Sequence, residues 1–310
     1  MRPLRERIAA GETILADGAL GSLLIERGLQ PGQAPEEFCL TQPGLLKEIV
    51  RLYQDAGAEV FQANTFGASP LKLTRHGLAD RAAEINRQAV AIVREVVRGN
   101  GYVWASVGPS GQLLKPYGDT EPGTVLENYT VQARALAEAK PDLIAVETMT
   151  DLAEAVLAVR AVRQANPDML LVATMTFERS KRGFFTIMGN SIPQTAQSLV
   201  EAGADLVGSN CGNGIEKMVE IAREFRRVTD RPLVIRPNAG LPDITEGQPV
   251  YPETPEFMAT CVPELLETKL GILGGCCGTT PAHIREFRHV LDARRCGPGS
   301  ERTKASEIQS

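Results

Sequence analysis

Three of the six cysteines sit in surroundings that suit metal chemistry. Cys211 lies in GSNCGNG (208–214), and Cys276 and Cys277 lie side by side in GGCCGTTP (274–281). Each follows a short apolar run, so all three thiols fall at the ends of predicted strands. Three thiolates form a trigonal sulfur face, and Zn2+ prefers tetrahedral coordination by soft sulfur ligands. A structural zinc site would close the tetrahedron with a fourth protein ligand. No fourth cysteine falls at a comparable strand end, and His76, His283 and His289 fall in predicted helices or loops. Three protein ligands with a position left for substrate is the pattern of a catalytic zinc. Two other readings compete. One is a vicinal disulfide, strained and out of place in a reducing compartment; the other is three small buried side chains. The glycines at 274, 275 and 278 favour the metal, because they let the backbone turn sharply enough for adjacent cysteines to face one ion. Their N–H groups are also suited to receive an anion. Cys39, Cys261 and Cys296 stand alone and carry no such signal.

Other polar residues fall at equivalent places. Asp17 follows the first apolar run, TILADGA (13–19), and Asn64 and Thr65 end EVFQANTF (59–66). Glu147 and Thr148 end DLIAVETM (142–149), and Asn210 and Asn238 end DLVGSNC (205–211) and PLVIRPN (232–238). With YVWASVGP (102–109), LLVATMTF (170–177) and GILGGCC (271–277), the count of predicted strands is eight. Between them run amphipathic stretches such as 43–57, 80–97 and 153–165. Near-continuous apolar strands separated by helices imply parallel strands covered on both faces. Eight such units close a single (β/α)8 TIM barrel, whose C-terminal strand ends converge on one mouth. A doubly wound open sheet is the competitor, but no GxGxxG follows the first strand. The barrel is expected over 1–295, followed by a polar tail at 296–310. Long connections at 21–42 and 108–123, rich in Gly and Pro, are expected at the rim of the mouth.

Composition narrows the function. The chain has 310 residues, 43% hydrophobic and 23% charged, with a net charge of −5. Such a balance argues against a nucleic-acid binder, which carries a basic footprint. No apolar run approaches a membrane span, and the N-terminus lacks the apolar core of a secretory signal. The expectation is a cytoplasmic enzyme.

The motifs together resemble the homocysteine S-methyltransferase family, and within it the homocysteine-binding barrel of cobalamin-dependent methionine synthases. The resemblance is carried by ADGALGSLLIERG (16–28), FQANTFGAS (61–69), HGL (76–78), ETM (147–149) and TMTF (174–177). It continues through GSNCGNG (208–214), RPNAG (236–240) and GGCCGTTPAHI (274–284), nearly the whole chain. It implies a zinc with three cysteine ligands, Cys211, Cys276 and Cys277, that binds homocysteine through its sulfur. It further implies that Asp17 and Glu147 hold the substrate's amino group and that Gly18 and Thr65 lie near its carboxylate. Asn238 matches a residue that approaches the zinc when substrate is absent. Coordination to Zn2+ deprotonates a thiol, and three cysteinates leave the centre electron-rich, so no general base beside the sulfur is needed. The acids form charge-assisted hydrogen bonds to a cationic amine.

The methyl donor is less determined. Cobalamin-dependent methionine synthases join this barrel to further modules for which 310 residues leave no room. The expected donor is therefore methylcobalamin on a separate corrinoid protein, with S-methylmethionine or betaine as alternatives. NTFGAS (64–69) and the GPSG…PYGD segment (108–119) side with the cobalamin-dependent branch. The basic start of FERSKRGFFTIMGNSI (177–192) is a surface suited to a partner protein. A non-catalytic zinc barrel remains a further reading. An aldolase-like barrel needs a Schiff-base lysine at a strand end, and none is present.

Overall fold

In the computed structural model, which describes residues 1–245 and 248–296, the apolar runs become eight parallel strands. These are β1 (Ile14–Leu15), β2 (Val60–Ala63), β3 (Tyr102–Val107), β4 (Leu143–Met149), β5 (Leu171–Met175), β6 (Leu206–Asn210), β7 (Leu233–Arg236) and β8 (Leu270–Leu273). Each pairs with its sequence neighbour, and β8 pairs with β1. A bridge between Ala16 and Val60, with Asp17 N–H donating to the Val60 carbonyl at 3.0 Å, joins β1 to β2 and closes the ring.

Alternation along the strands builds two cores. Ile14, Val60, Tyr102, Trp104, Leu143, Ala145, Val172, Leu206, Val234 and Ile272 pack together inside the ring. Leu4 and Ile8, from the helix Leu4–Ala9, join that cluster and plug its N-terminal end. The intervening residues, among them Phe61, Val103, Ile144, Val146, Leu171, Val207 and Ile235, pack outward against the helices. Truncating a filled outward position such as Ile144 to Ala should cost about 2–5 kcal/mol.

The outer helices begin where local chemistry satisfies their first N–H groups. Proline occupies the first turn of Pro43–Asp55, Pro122–Ala139 and Pro255–Leu266, where a missing donor costs nothing. Ser191 and Gln194 form a reciprocal capping box at the start of Ile192–Ala202. Asp151 caps Leu152–Ala165 by accepting the Ala153 N–H at 2.8 Å.

Two connections differ from expectation. The 21–42 stretch is partly helical, with a helix at Leu20–Glu26, a 3-10 turn at Pro35–Glu37 and a helical turn at Phe38–Thr41. These pieces are too short to show a helical period. The 177–192 segment holds a hairpin, Glu178–Ser180 with Gly183–Phe185. Its Arg179 pairs with Glu220 and lies over the Phe184 ring, so that charge is engaged by the protein itself. The 108–123 connection is a loop up to Pro122, as expected. The final helix runs Pro281–Cys296, and the rest of the expected polar tail lies outside the described residues. Among those residues no helix is long and apolar enough to cross a membrane.

Candidate metal and substrate site

The inward-facing column of each strand is apolar for one or two layers and then turns polar. After Val60 comes Gln62, after Trp104 Ser106, after Ala145 Glu147, after Val172 Thr174 and after Val234 Arg236. Asn210 occupies the corresponding place on β6. The barrel thus changes from dry core to polar floor within one residue pair, and the mouth stands on that floor.

Cys211 comes directly after β6, whereas Cys276 and Cys277 come three and four residues past the end of β8, in a turn. That turn is pinned by neighbouring strands. Cys276 N–H donates to the Pro237 carbonyl at 2.7 Å, Ala239 N–H donates to the Cys277 carbonyl at 3.0 Å, and Gly275 N–H donates to the Asp17 carbonyl at 2.9 Å. Gly278 has φ +77, and a Cβ there would collide with the Tyr251 ring. Cys211 and Thr148 both hold positive φ, 62 and 60, which for side-chain-bearing residues is strained by about 1–3 kcal/mol. Asn210 clamps the second of these. Its Oδ1 accepts the Thr148 N–H at 2.8 Å, and its Nδ2 donates to Thr148 Oγ1 at 2.7 Å. Glu147 directly precedes one of these strained positions, and Cys211 is the other.

The three sulfurs all lie within 4.8 Å of one another, and Cys211 Sγ is 3.8 Å from Cys277 Sγ. Two sulfurs each about 2.3 Å from one tetrahedral zinc are about 3.8 Å apart, so the spacing fits that ion. The thiols resist ionisation by themselves. For Cys276, the contact with Cys211 and burial push the pKa up to about 12. Cys211 and Cys277 are drawn down by one neighbouring thiol, but the other neighbour and burial prevail, leaving them at about 11 and about 12. Three mutually repelling thiolates need a cation among them.

The acids sit across the floor. Gln62 N–H donates to Asp17 Oδ2 at 2.7 Å, and Gln62 Nε2 donates to Glu147 Oε1 at 3.0 Å. Between them lies Arg236, 3.1 Å from Asp17 Oδ1 and 3.5 Å from Glu147 Oε2. Burial pushes Asp17 up to about 6, with Arg236 opposing, and pushes Glu147 up as well. Two acids thus share one guanidinium, which leaves carboxylate oxygens for a cationic group of a ligand to meet.

Gly18, Glu147, Asn210, Cys211, Arg236, Cys276 and Cys277 line one cavity of about 310 Å³, walled on the other side by Pro35, Glu36, Asn64 and Phe66. The remaining expected residues stand back from its lining. Thr65 is fully buried and spends its hydroxyl on Ser106, donating to the carbonyl and accepting the N–H, each at 2.8 Å. That makes it a brace between β2 and β3. Asn238 lies between the two residues that bond the cysteine turn, and its Oδ1 is buried with no hydrogen-bond partner among the described residues. Such an oxygen suits a metal.

Sequence reasoning did not find Arg236, Gln62 or Glu36. The first two follow from counting by twos from Val234 and Val60. Glu36 has no local signal, since it is placed by accepting the Gly67 N–H at 2.7 Å from a distant loop.

A (β/α)8 barrel with three metal-ready thiols and a buried acid pair at its C-terminal mouth defines a class of barrel enzyme. The chain belongs to the homocysteine S-methyltransferase family, whose sequence pattern matches residues 14–291. It is 33% identical to methionine synthase of Mycobacterium tuberculosis (strain ATCC 25618 / H37Rv) over 295 residues, covering 90% of this chain and 24% of that protein. Methionine synthase of Mycobacterium leprae (strain TN) is 31% identical over 307 residues, covering 94% and 25%. The chain thus spans about a quarter of the length of these curated relatives. Its fold is shared with the homocysteine methyltransferase MmuM from Escherichia coli. The metallated form superposes with TM-score 0.77 at 22% identity, covering 93% of this chain and 99% of that one.

Proposed function

We propose that the protein transfers a methyl group to the sulfur of homocysteine, giving methionine, in a zinc-dependent reaction whose methyl group arrives on a corrinoid protein. The observation that carries this reading is one cavity lined by both the sulfur triad and Glu147, with Asp17 just behind its lining, bonded to Gln62 and Arg236. A thiol amino acid has the complementary ends.

Cys211, Cys276 and Cys277 would hold the zinc, with Asn238 Oδ1 positioned to approach it before substrate enters. Zinc, when bound, supplies the positive charge that keeps a thiol ionised at neutral pH. Asp17 and Glu147 bind the ammonium group, and Gly18 offers backbone beside the carboxylate. Thr65 acts from behind, holding β2 against β3. The apolar layers below exclude water, which strengthens each of these charge contacts.

Two features support a corrinoid donor. Leu113 and Tyr117 in the loop after β3, Ile187 after β5, and Leu241 and Ile244 after β7 all stand exposed on connections at the catalytic end. Exposed apolar side chains gathered at one end suit a protein partner. A small cationic donor calls instead for an aromatic cage. Among the described residues Phe66 is the one aromatic residue of the cavity lining, with Tyr251 beside Cys277, and Tyr117 is turned out to solvent.

The test is a donor screen with purified protein, zinc and homocysteine. Free methylcobalamin should support slow turnover, and betaine or S-methylmethionine essentially none. Brisk turnover with either small donor would overturn the corrinoid assignment and leave the zinc site standing.

A further inference from the structure

Arg236 stands where the acid pair and the cysteine turn meet. It ends β7, points inward by the strand's alternation and is 3% exposed. Its Nη2 donates to Asp17 Oδ1 at 3.1 Å and to Gln62 Oε1 at 3.2 Å, and its Nη1 reaches Glu147 Oε2 at 3.5 Å. Its Nε donates to the carbonyl of Gly275, the residue before Cys276, at 2.9 Å. The peptide takes part too, because the Arg236 carbonyl accepts the Cys211 N–H at 3.1 Å. One residue therefore joins both acids to both cysteine-bearing loops. The guanidinium carbon lies 5.0 Å from the centre of the Trp104 ring, a contact that fixes its plane from below. Gly274 leaves room beside it, since a Cβ there would come 3.2 Å from Nε and 2.9 Å from the Asp17 carbonyl.

We propose that Arg236 is a positioning residue that sets the distance between the acid pair and the metal turn. It thereby selects a thiol amino acid of homocysteine's length over one a methylene shorter. The inference rests on homocysteine being the acceptor. Such a molecule is gripped at both ends, by its amine and by its sulfur. The separation of the grips decides which chain length reaches both without distortion. Lysine is no substitute, because a point charge does not span several acceptors in one plane.

The test measures binding of homocysteine and of cysteine to zinc-loaded protein by calorimetry, for the parent, Arg236→Lys and Arg236→Gln. The parent should favour homocysteine by about tenfold or more, the scale of one methylene. In both variants that ratio should fall toward one while zinc content is unchanged. A purely structural role would weaken both thiols alike and leave the ratio. Gln62→Leu removes a neutral partner of Arg236 and should move the ratio the same way by less; it carries the test if both arginine variants unfold. A parent that binds neither thiol overturns the acceptor reading and this inference with it. A parent without preference, or variants that keep the parent's preference, overturn the inference alone.

Discussion

The two ends of the barrel handle charge in opposite ways. At the N-terminal end Asp205 and Glu59 each meet two bases at a partly exposed rim. Asp205 takes Arg5 at 3.2 Å, Arg163 at 3.0 Å and the Leu171 N–H at 2.9 Å. Glu59 takes Arg7 at 2.6 Å and Arg288 at 3.0 Å. Burial pulls Asp205 upward, but these partners outweigh it and leave its pKa lowered. At the C-terminal end, Asp17, Glu147 and Glu36 are all pushed up, chiefly by burial, and three thiols crowd within 4.8 Å of one another. At the first end the chain's own bases lower a carboxylate's pKa; at the second, in-chain partners do not offset burial, and these are the groups a bound metal and substrate would meet, where barrels of this kind keep their sites.

The largest expected effect follows from that division. Zinc added to metal-free protein should raise its thermal midpoint, by about 4 kcal/mol of stability at a thousandfold excess over Kd. Cys276→Ala should abolish the rise and the methyl transfer together. A zinc-dependent rise that survives in Cys276→Ala would place the ion elsewhere.

Next come paired substitutions of one acid from each end. Glu147→Gln should weaken homocysteine binding by about 1–3 kcal/mol with zinc retained. Asp205→Asn should leave that affinity unchanged and lower stability at pH 7 by about 1–2 kcal/mol. Calorimetry and denaturant titration of both variants read the two effects. An exchange of phenotypes would erase the distinction between the ends.

The smallest effect is in pH dependence, measured on metal-free protein. Asp205, with its folded pKa lowered, stabilises above the unfolded carboxylate value and loses that contribution as pH falls through the folded one. The cost of Asp205→Asn should therefore shrink below pH of about 4. Asp17, raised to about 6, imposes a penalty that grows from pH of about 4 to about 6 and is constant above. Asp17→Asn should gain stability relative to the parent across that window, by at most about 3 kcal/mol. Parallel pH profiles for the two variants would contradict the opposed environments.

What could be read from the sequence follows how local each signal was. Adjacent cysteines between glycines, and acids closing apolar runs, carry their meaning within a few residues, so the thiols, Asp17 and Glu147 were visible. The barrel was visible because every unit repeats one pattern. Arg236 was hidden within RPNAG beside the more suggestive Asn238, although a count by twos from Val234 places it on the inner face. The cavity wall at Pro35–Glu36 was hidden for another reason. Its turn is three residues long, and a distant bond to Gly67 places it. Thr65 shows the limit in reverse. Its type suits a substrate contact, yet its hydroxyl is taken up by Ser106.

The most direct test is X-ray absorption at the zinc edge, on protein loaded with one equivalent of metal, before and after homocysteine. Three sulfur ligands with one oxygen or nitrogen should become four sulfurs when homocysteine is added. A sulfur count that homocysteine leaves unchanged would contradict a zinc centre that takes the substrate's thiol.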